Sequence, residues 1–409
     1  VILSPAYLRI NWLFQPVSFD LVFWLLATFF ILKLVQTENP MYWLILGLIW
    51  GLGFLNKYSM AFLAFAFLLA IILTEKRKLI LSWYFLLHLL IGFLIILPNL
   101  IWQFNHNWPV VFHMQNLRRT QLVNVQITDF LLAQPLMTLP AAPLWICGLL
   151  YFLFSKTARM LRVLGITFLI VLVMFMLLQG KPYYTLGIYF ILIAGGGVWI
   201  EKFAVKRNVS FVKPVLLVLM VLILLPGVPF SLPVLSFDQM AIYGQESGKF
   251  GLEGFLRWED GQLHPLPQDY ADMTGWEELG EIVSTTYQNL SKEERDKCAI
   301  YGENYGQAGA VKYFGKKAGL PEPVSFSDNF LFWAPDSVVM SILIYINDDT
   351  TDIAYYFGTV QEMGHIKSPL ARESGLPVYL CRGPRNDFEQ FYKDKVNNLK
   401  SNFNRRGHR

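Results

Sequence analysis

Up to about residue 235 the chain is a succession of apolar runs, each roughly 20 residues long and ended by a short polar or basic turn. A bilayer's hydrocarbon core is about 30 Å thick and offers no water to backbone groups, so a run of that length crosses it as a helix. Eight spans are predicted, near residues 17–36, 41–56, 58–74, 79–101, 128–154, 162–179, 183–201 and 214–233. Several carry Pro or Gly, as in LLAQPLMTLPAAPLW and AGGGVW, which membrane helices tolerate. Hydrophobic residues make up 54% of the 409 and charged ones 16%. With the apolar residues concentrated before 235, this reads as a polytopic membrane protein carrying a water-soluble tail.

The basic turns orient the spans. EKRK (75–78), SKTARMLR (155–162) and EKFAVKRNVSFVK (201–213) are each separated from the next by two spans, and the positive-inside rule puts all three in the cytoplasm. The outward connections are then the start at Asp20, the turn NKYS (56–59), the long loop 102–127, the turn QGKPYY (179–184) and everything after residue 233. Arg118 and Arg119 oppose this assignment, and the alternation of the other turns outweighs them. The net charge of +4 carries no nucleic-acid footprint. The opening VILSPAYLRINWLF resembles the remains of a preceding helix, so further sequence is expected upstream of Val1.

From residue 235 the pattern becomes that of a globular domain. GWEELGEIVSTTYQNL (275–290) and GQAGAVKYFG (306–315) have helical spacing, whereas CAIYG (298–302), SVVMSILIYI (337–346) and PVYLC (377–381) are strand-like. Alternation of the two predicts a small α/β domain over 235–409, on the outer face, behind a transmembrane domain over 1–234. The tail NNLKSNFNRRGHR reads as frayed. Cys147 lies in an apolar run, so of the three cysteines Cys298 and Cys381 alone are placed to pair.

The ionisable residues of the membrane half gather on the outward side: Asp20, Lys57, His106, His113, Arg118, Arg119 and Lys181. Charge at a membrane boundary is costly and often functional. A lysine can also simply snorkel to headgroups, and an aspartate can sit at a helix start for the sake of the dipole. Asp20 can hold a divalent cation or accept a proton from a hydroxyl. HNWPVVFHMQNLRR (106–119) joins two histidines, a Trp and a double Arg suited to bidentate phosphate contact, or to plain interfacial anchoring. Lys181 precedes a helix start, where a cation is opposed by the dipole unless an anion sits there too. Tyr183 and Tyr184 follow it, a pair that the aromatic belt of a membrane boundary explains.

FQPVSFDLVFW, GLIWGLGFLNKYSMAF, FNHNWPVVFHMQNLRR, LLQGKPYYTLGIYFILIAGG and PQDYADMTGWEEL with ENYGQAGAVKYFG resemble, in that order, the bacterial glycosyltransferase family 39-like proteins. These are relatives of the dolichyl-phosphate-mannose protein mannosyltransferases and the lipid A aminoarabinose transferases, and have the GT-C fold. The resemblance implies a multi-pass enzyme of the bacterial inner membrane that takes a sugar from a polyprenyl-phosphate donor. It passes the sugar, with inversion, to a lipid, glycan or protein acceptor on the extracytoplasmic side. On this pattern Asp20 would hold a divalent metal or position the donor, and Lys57, His113, Arg118, Arg119, Lys181 and Tyr183 would bind substrate. The family's main base belongs to an outer loop that would lie upstream of Val1. A transporter or lipid flippase would instead need ionisable groups in mid-span, where only His88 sits and a lone His is more often a packed residue, and a non-catalytic envelope scaffold would leave the one-sided charges unexplained.

Overall fold

The computed structural model describes residues 3–120, 122–385 and 387–405. Residues 1–105 and 115–234 form one compact unit, and residues 106–114 and 235–409 a second. Segment 106–114, expected with the membrane half, therefore belongs with the C-terminal unit.

The first unit is helical: α1 Pro5–Trp12, α2 Pro16–Thr37, α3 Tyr42–Asn56, α4 Ser59–Ile72, α5 Trp83–Asn105, α6 Pro109–Thr120 (begun in the second unit), α7 Ile127–Met137, α8 Ala142–Phe154, α9 Arg162–Leu177, α10 Leu186–Arg207, α11 Val212–Leu224 and α12 Val228–Ser231. Among the described residues five helices are long and apolar enough to cross a membrane, or seven if two bent pairs each count as one span. One bent pair joins the predicted span 58–74 to Glu75–Leu81, which holds the predicted basic turn 75–78, and the other is the predicted span 128–154. The first turns by 115° after Ile72, and the second by 78° between Met137 and Leu139, inside the proline-rich stretch. Pro140 cannot donate to a continuing helix, which favours a break there. Segment 41–56 forms only a 15-residue helix, about 22 Å long and short of a straight crossing. The expected outer loop 102–127 is largely ordered: α5 continues to Asn105 and α6 spans HMQNLRR.

Glycines set the helix crossings. A Cβ on Gly47 of α3 would stand 2.8 Å from the carbonyl oxygen of His88 on α5, and one on Gly195 of α10 would stand 2.6 Å from the Phe152 ring of α8. Without a hydrophobic drive between helices in lipid, such close approach supplies the packing contact. Trp24, Trp43, Phe67, Phe168 and Tyr189 fill the interior. Leu86, Leu90, Leu94 and Ile101 of α5 lie exposed, as lipid-facing residues would.

The two ends of this helical unit differ in chemistry. At one end Lys76 bonds Glu38, Arg159 bonds Glu75, Lys213 bonds Glu201 at 2.9 Å, and Lys202 donates to the Tyr151 hydroxyl at 2.8 Å. The turns 75–78 and 155–162, predicted to share a side, are thus tied to each other.

In the second unit α13 (Phe237–Gly248), α14 (Gln268–Ala271), α15 (Trp276–Gln288) and α16 (Lys292–Arg295) precede β1 (Cys298–Gly302). Then follow α17 (Tyr305–Phe314), α18 (Phe330–Trp333), β2 (Ile342–Ile346), α19 (Thr351–Tyr356), β3 (Phe357–His365), β4 (Pro377–Pro384) and α20 (Phe388–Arg405). The sheet order is β1-β2-β4-β3, with β1 parallel to β2 and the other pairs antiparallel. β2 is buried along its whole length, as its unbroken apolar run dictates. Leu279 and Val283 of α15 cover one sheet face, and Phe388, Tyr392 and Val396 of α20, spaced at helical period, cover the other.

Three expectations for this unit change. β3, mostly exposed and polar, has no apolar alternation to betray it. The basic tail from Asn397 continues α20 to Arg405 rather than fraying, because Phe388, Tyr392 and Val396 just before it seat that helix on the sheet, and Arg406–Arg409 lie outside the described residues. Cys298 and Cys381 are free thiols. Each pairs with β2 from opposite sides, at the neighbouring positions Ile342 and Leu343, so they sit two strand spacings apart on opposite faces, beyond disulfide reach.

Candidate functional site

The other end of the helical unit gathers three turns distant in sequence. Pro16 starts α2 with its fixed φ, and Asp20 follows one turn later. It is therefore past the first turn, where the helix dipole acts most, and its place is set by partners instead. The carboxylate is buried, and its Oδ1 accepts from the Ser59 hydroxyl at 2.7 Å and from the Trp24 indole N–H at 3.1 Å. Trp24 is one helical turn further on and on the same face. A buried carboxylate needs such donors and a nearby cation.

The cation is Lys57, in the turn between α3 and α4, where Asp20 and Lys57 feel each other's charge. Asn56 donates to the Pro16 carbonyl at 3.0 Å, fixing this turn against the start of α2. The Lys57 ammonium stands 5.3 Å from the Tyr183 ring centroid and 4.8 Å from that of Tyr184, a cation–π arrangement with two rings set edge to face. Lys181, two residues before Tyr183, is close enough to repel Lys57.

The third turn is shaped by the end of α9. Gln179 takes a left-handed conformation and the Gly180 N–H bonds the Phe175 carbonyl at 2.8 Å, reversing the chain so that Lys181 to Tyr184 face the site. Gly187, at the start of α10, lies against Trp24: a Cβ there would come 2.5 Å from the Trp24 Cβ. The indole that holds Asp20 is thus seated on α10. Below it, the Gln134 side-chain oxygen accepts from Thr185 at 2.7 Å and from Tyr189 at 2.8 Å, all three groups buried.

Of the residues singled out in the sequence, Asp20, Lys57, Lys181 and Tyr183 come together here. His113 lies in the second unit, where its Nδ1 is 3.3 Å from Asp328 Oδ1. That hydrogen bond raises the His113 pKa and lowers that of Asp328. Arg118 and Arg119 are exposed in the last turn of α6. Sequence reasoning missed Trp24, Ser59 and Tyr184 as partners. The spacing Asp20-to-Trp24 and the adjacency of Ser59 to Lys57 were the available signals.

Among the described residues no three His, Cys, Asp or Glu side chains assemble into a metal-holding group. Asp20 brings one carboxylate whose Oδ1 already takes two hydrogen bonds, so the described residues alone make a poor cation cage. What the cluster offers is two ammonium groups and aromatic faces beside a buried carboxylate, at one end of a helical set.

Searches of curated proteins and of solved structures return no match. Residues 1–102, which hold Asp20, Lys57 and Ser59, match the family model described as dolichyl-phosphate-mannose-protein mannosyltransferase, which points to a membrane glycosyltransferase using a lipid-linked sugar donor.

Proposed function

We propose that this protein transfers a sugar from a polyprenyl-phosphate carrier to an acceptor at the extracytoplasmic face of a bacterial inner membrane, with inversion. The observation that carries the reading is the convergence of Lys57 and Lys181 with Tyr183, Tyr184 and Asp20 from three separate turns. Two ammonium groups repel unless an anion lies between them, and the chemistry of the matched family offers a phosphate.

In such a transfer the bond from the anomeric carbon to the phosphate oxygen breaks while the acceptor oxygen bonds the same carbon from the opposite face. The electron pair leaves on the lipid phosphate, and the acceptor's proton goes to a base. Lys57 and Lys181 would meet the charge that grows on the phosphate, where a preorganised cation lowers the barrier most. Asp20 would hold Lys57 in place and position the donor. Tyr183 and Tyr184 would present ring faces to the sugar while keeping the ammonium oriented. Arg118 and Arg119 remain candidates for the lipid phosphate at the membrane surface. A divalent metal at Asp20 would need further ligands from the donor phosphate or water.

The test is transfer of labelled sugar from a polyprenyl-phosphate-sugar pool in membranes of cells expressing the gene. Lys57→Met, Lys181→Ala and Asp20→Asn, at equal protein level, should each lower transfer by roughly tenfold to a thousandfold, the range for losing one charge-stabilising group. Near wild-type transfer in both lysine variants would refute the phosphate role.

A further inference from the structure

A buried amide inside a helical membrane unit is costly unless its bonds are made, so the bonds it makes say what it holds. Gln134 of α7 is 3% exposed and its amide is fully directed. Its Oε1 accepts from the Thr185 and Tyr189 hydroxyls, and its Nε2 donates to the Phe130 carbonyl at 2.9 Å. Thr185 and Tyr189 stand one helical turn apart across the start of α10, so a single oxygen grips that start at two levels.

The break in the span puts Gln134 there. α7 ends at Met137, the chain bends by 78° into α8, and α7 packs on the 3₁₀ turn Pro182–Thr185. The break itself is closed by other groups. Thr138 donates to the Gln134 carbonyl at 3.1 Å and accepts from the Trp145 indole at 2.9 Å, and Ser4 of α1 donates to the Met137 carbonyl at 3.1 Å. α10 is also seated without Gln134, because the Tyr7 hydroxyl bonds the Leu186 carbonyl at 2.7 Å and its ring stacks on Phe190 at 4.9 Å. What the Gln134 side chain adds is a hold on the turn before α10. Thr185 has one hydroxyl proton and two acceptors in reach, Gln134 Oε1 at 2.7 Å and the Pro182 carbonyl at 2.9 Å. It therefore joins α7 to the peptide between Pro182 and Tyr183, with Lys181 on one side and the tyrosine pair on the other.

We propose that Gln134 is a positioning residue of the candidate site, an inference that rests on the transferase reading above. Through Thr185 it fixes the turn that sets Tyr183 and Tyr184 against the Lys57 ammonium and brings Lys181 near it. With an apolar residue at position 134 the Thr185 proton goes wholly to Pro182, and the turn loses its tie to α7.

Gln134→Leu, Thr185→Val, Thr185→Ser and the double variant Gln134→Leu with Thr185→Val are compared with the wild type in two assays. One is transfer of labelled sugar from a polyprenyl-phosphate-sugar in membranes. The other is acylation of lysines in the purified protein by a water-soluble N-hydroxysuccinimide ester, read by mass spectrometry. Gln134→Leu and Thr185→Val should each lower kcat roughly tenfold with KM changed much less, inside the roughly hundredfold that a 1 Å misplacement can cost. Thr185→Ser keeps the hydroxyl and should stay near wild type. The double variant should lose no more than the worse single, because the two residues form one link. Gln134→Leu strands the Tyr189 hydroxyl and Thr185→Val does not, so similar kcat losses at unequal stability mark positioning. In both single variants Lys57 should acylate several-fold faster, while Lys202, bonded to Tyr151 at the other end of the unit, keeps its rate. Lost stability with kcat and the Lys57 rate unchanged, additive losses in the double variant, or faster labelling of both lysines would each overturn the role. If the wild type transfers no sugar, the transferase reading fails, and the Lys57 rate alone then decides whether Gln134 sets the turn.

Discussion

Gly196→Ala and Gly197→Ala add the same methyl group one residue apart on α10, and the fold gives them opposite signs. A Cβ on Gly196 would stand 2.7 Å from the carbonyl carbon of Leu144 on α8 and 3.1 Å from its Cα, overlapping the carbonyl oxygen. Ordinary contact begins at 3.4 Å, and backbone has no rotamer by which to withdraw. Gly148 meets the Leu192 carbonyl in the same way from the other helix, so the crossing is held at that distance from both sides. Overpacking costs about 1–3 kcal/mol, here at the upper end, and alanine's helix preference offsets about 1 kcal/mol of it. The net loss for Gly196→Ala is about 2 kcal/mol. At Gly197 nothing lies within 4 Å, so the preference stands alone and the variant gains up to about 1 kcal/mol. A gap of about 3 kcal/mol between the two amounts to roughly 6–12 °C in melting temperature for a unit of this size. Tryptophan-fluorescence melts of the purified protein in detergent read it directly. Were Gly196→Ala to melt at or above Gly197→Ala, the close α8–α10 crossing would be wrong, and with it the placement of the turn that α10 carries.

Gln134→Leu removes the acceptor for the buried Tyr189 hydroxyl while Thr185 keeps its bond to the Pro182 carbonyl, so a loss of about 1–3 kcal/mol is expected in the same melts. No loss would mean that the Tyr189 hydroxyl finds another partner. His113 and Asp328 give the second unit a pH dependence. The raised His113 pKa supplies stability that is full below the ordinary 6.5 and fades as pH rises through the folded value, and the lowered Asp328 pKa supplies stability above 3.8 that fades as pH falls through its folded value. His113→Gln should therefore flatten the decline in stability as pH rises above about 6.5, modestly because both side chains are half exposed; an unchanged slope would refute the pair's role. Burial pushes the thiols of Cys298 and Cys381 up to about 12, so iodoacetamide at neutral pH should label them only after unfolding, as mass spectrometry would show. Fast labelling of the folded protein would mean that the sheet faces are open.

The sequence was most legible where one periodicity dominates. Apolar runs identified the helices of the first unit because a bilayer admits little else, and β2 was visible as an unbroken apolar run. It was least legible where partners decide. The bend after Met137 needed the geometry of its prolines, and β3 carries its pairing in the backbone rather than in its polar side chains. The tail from Asn397 looked frayed because the residues that seat its helix, Phe388, Tyr392 and Val396, lie before it and gain meaning only against a sheet.

The candidate site divides in the same way. Composition and the order of the basic turns determined that Asp20, Lys57 and Lys181 share one end of the helices, since alternating spans return each second turn to the same side. Only the tertiary structure decided that Asp20 is held by Ser59 and Trp24, that Lys57 stands over Tyr183 and Tyr184, and that His113 turns to Asp328 in the other unit. The physical reason is range. Transfer of apolar residues out of water is additive along the chain and can be read from it, whereas hydrogen bonds and charge pairs act over a few ångströms between residues the sequence keeps far apart.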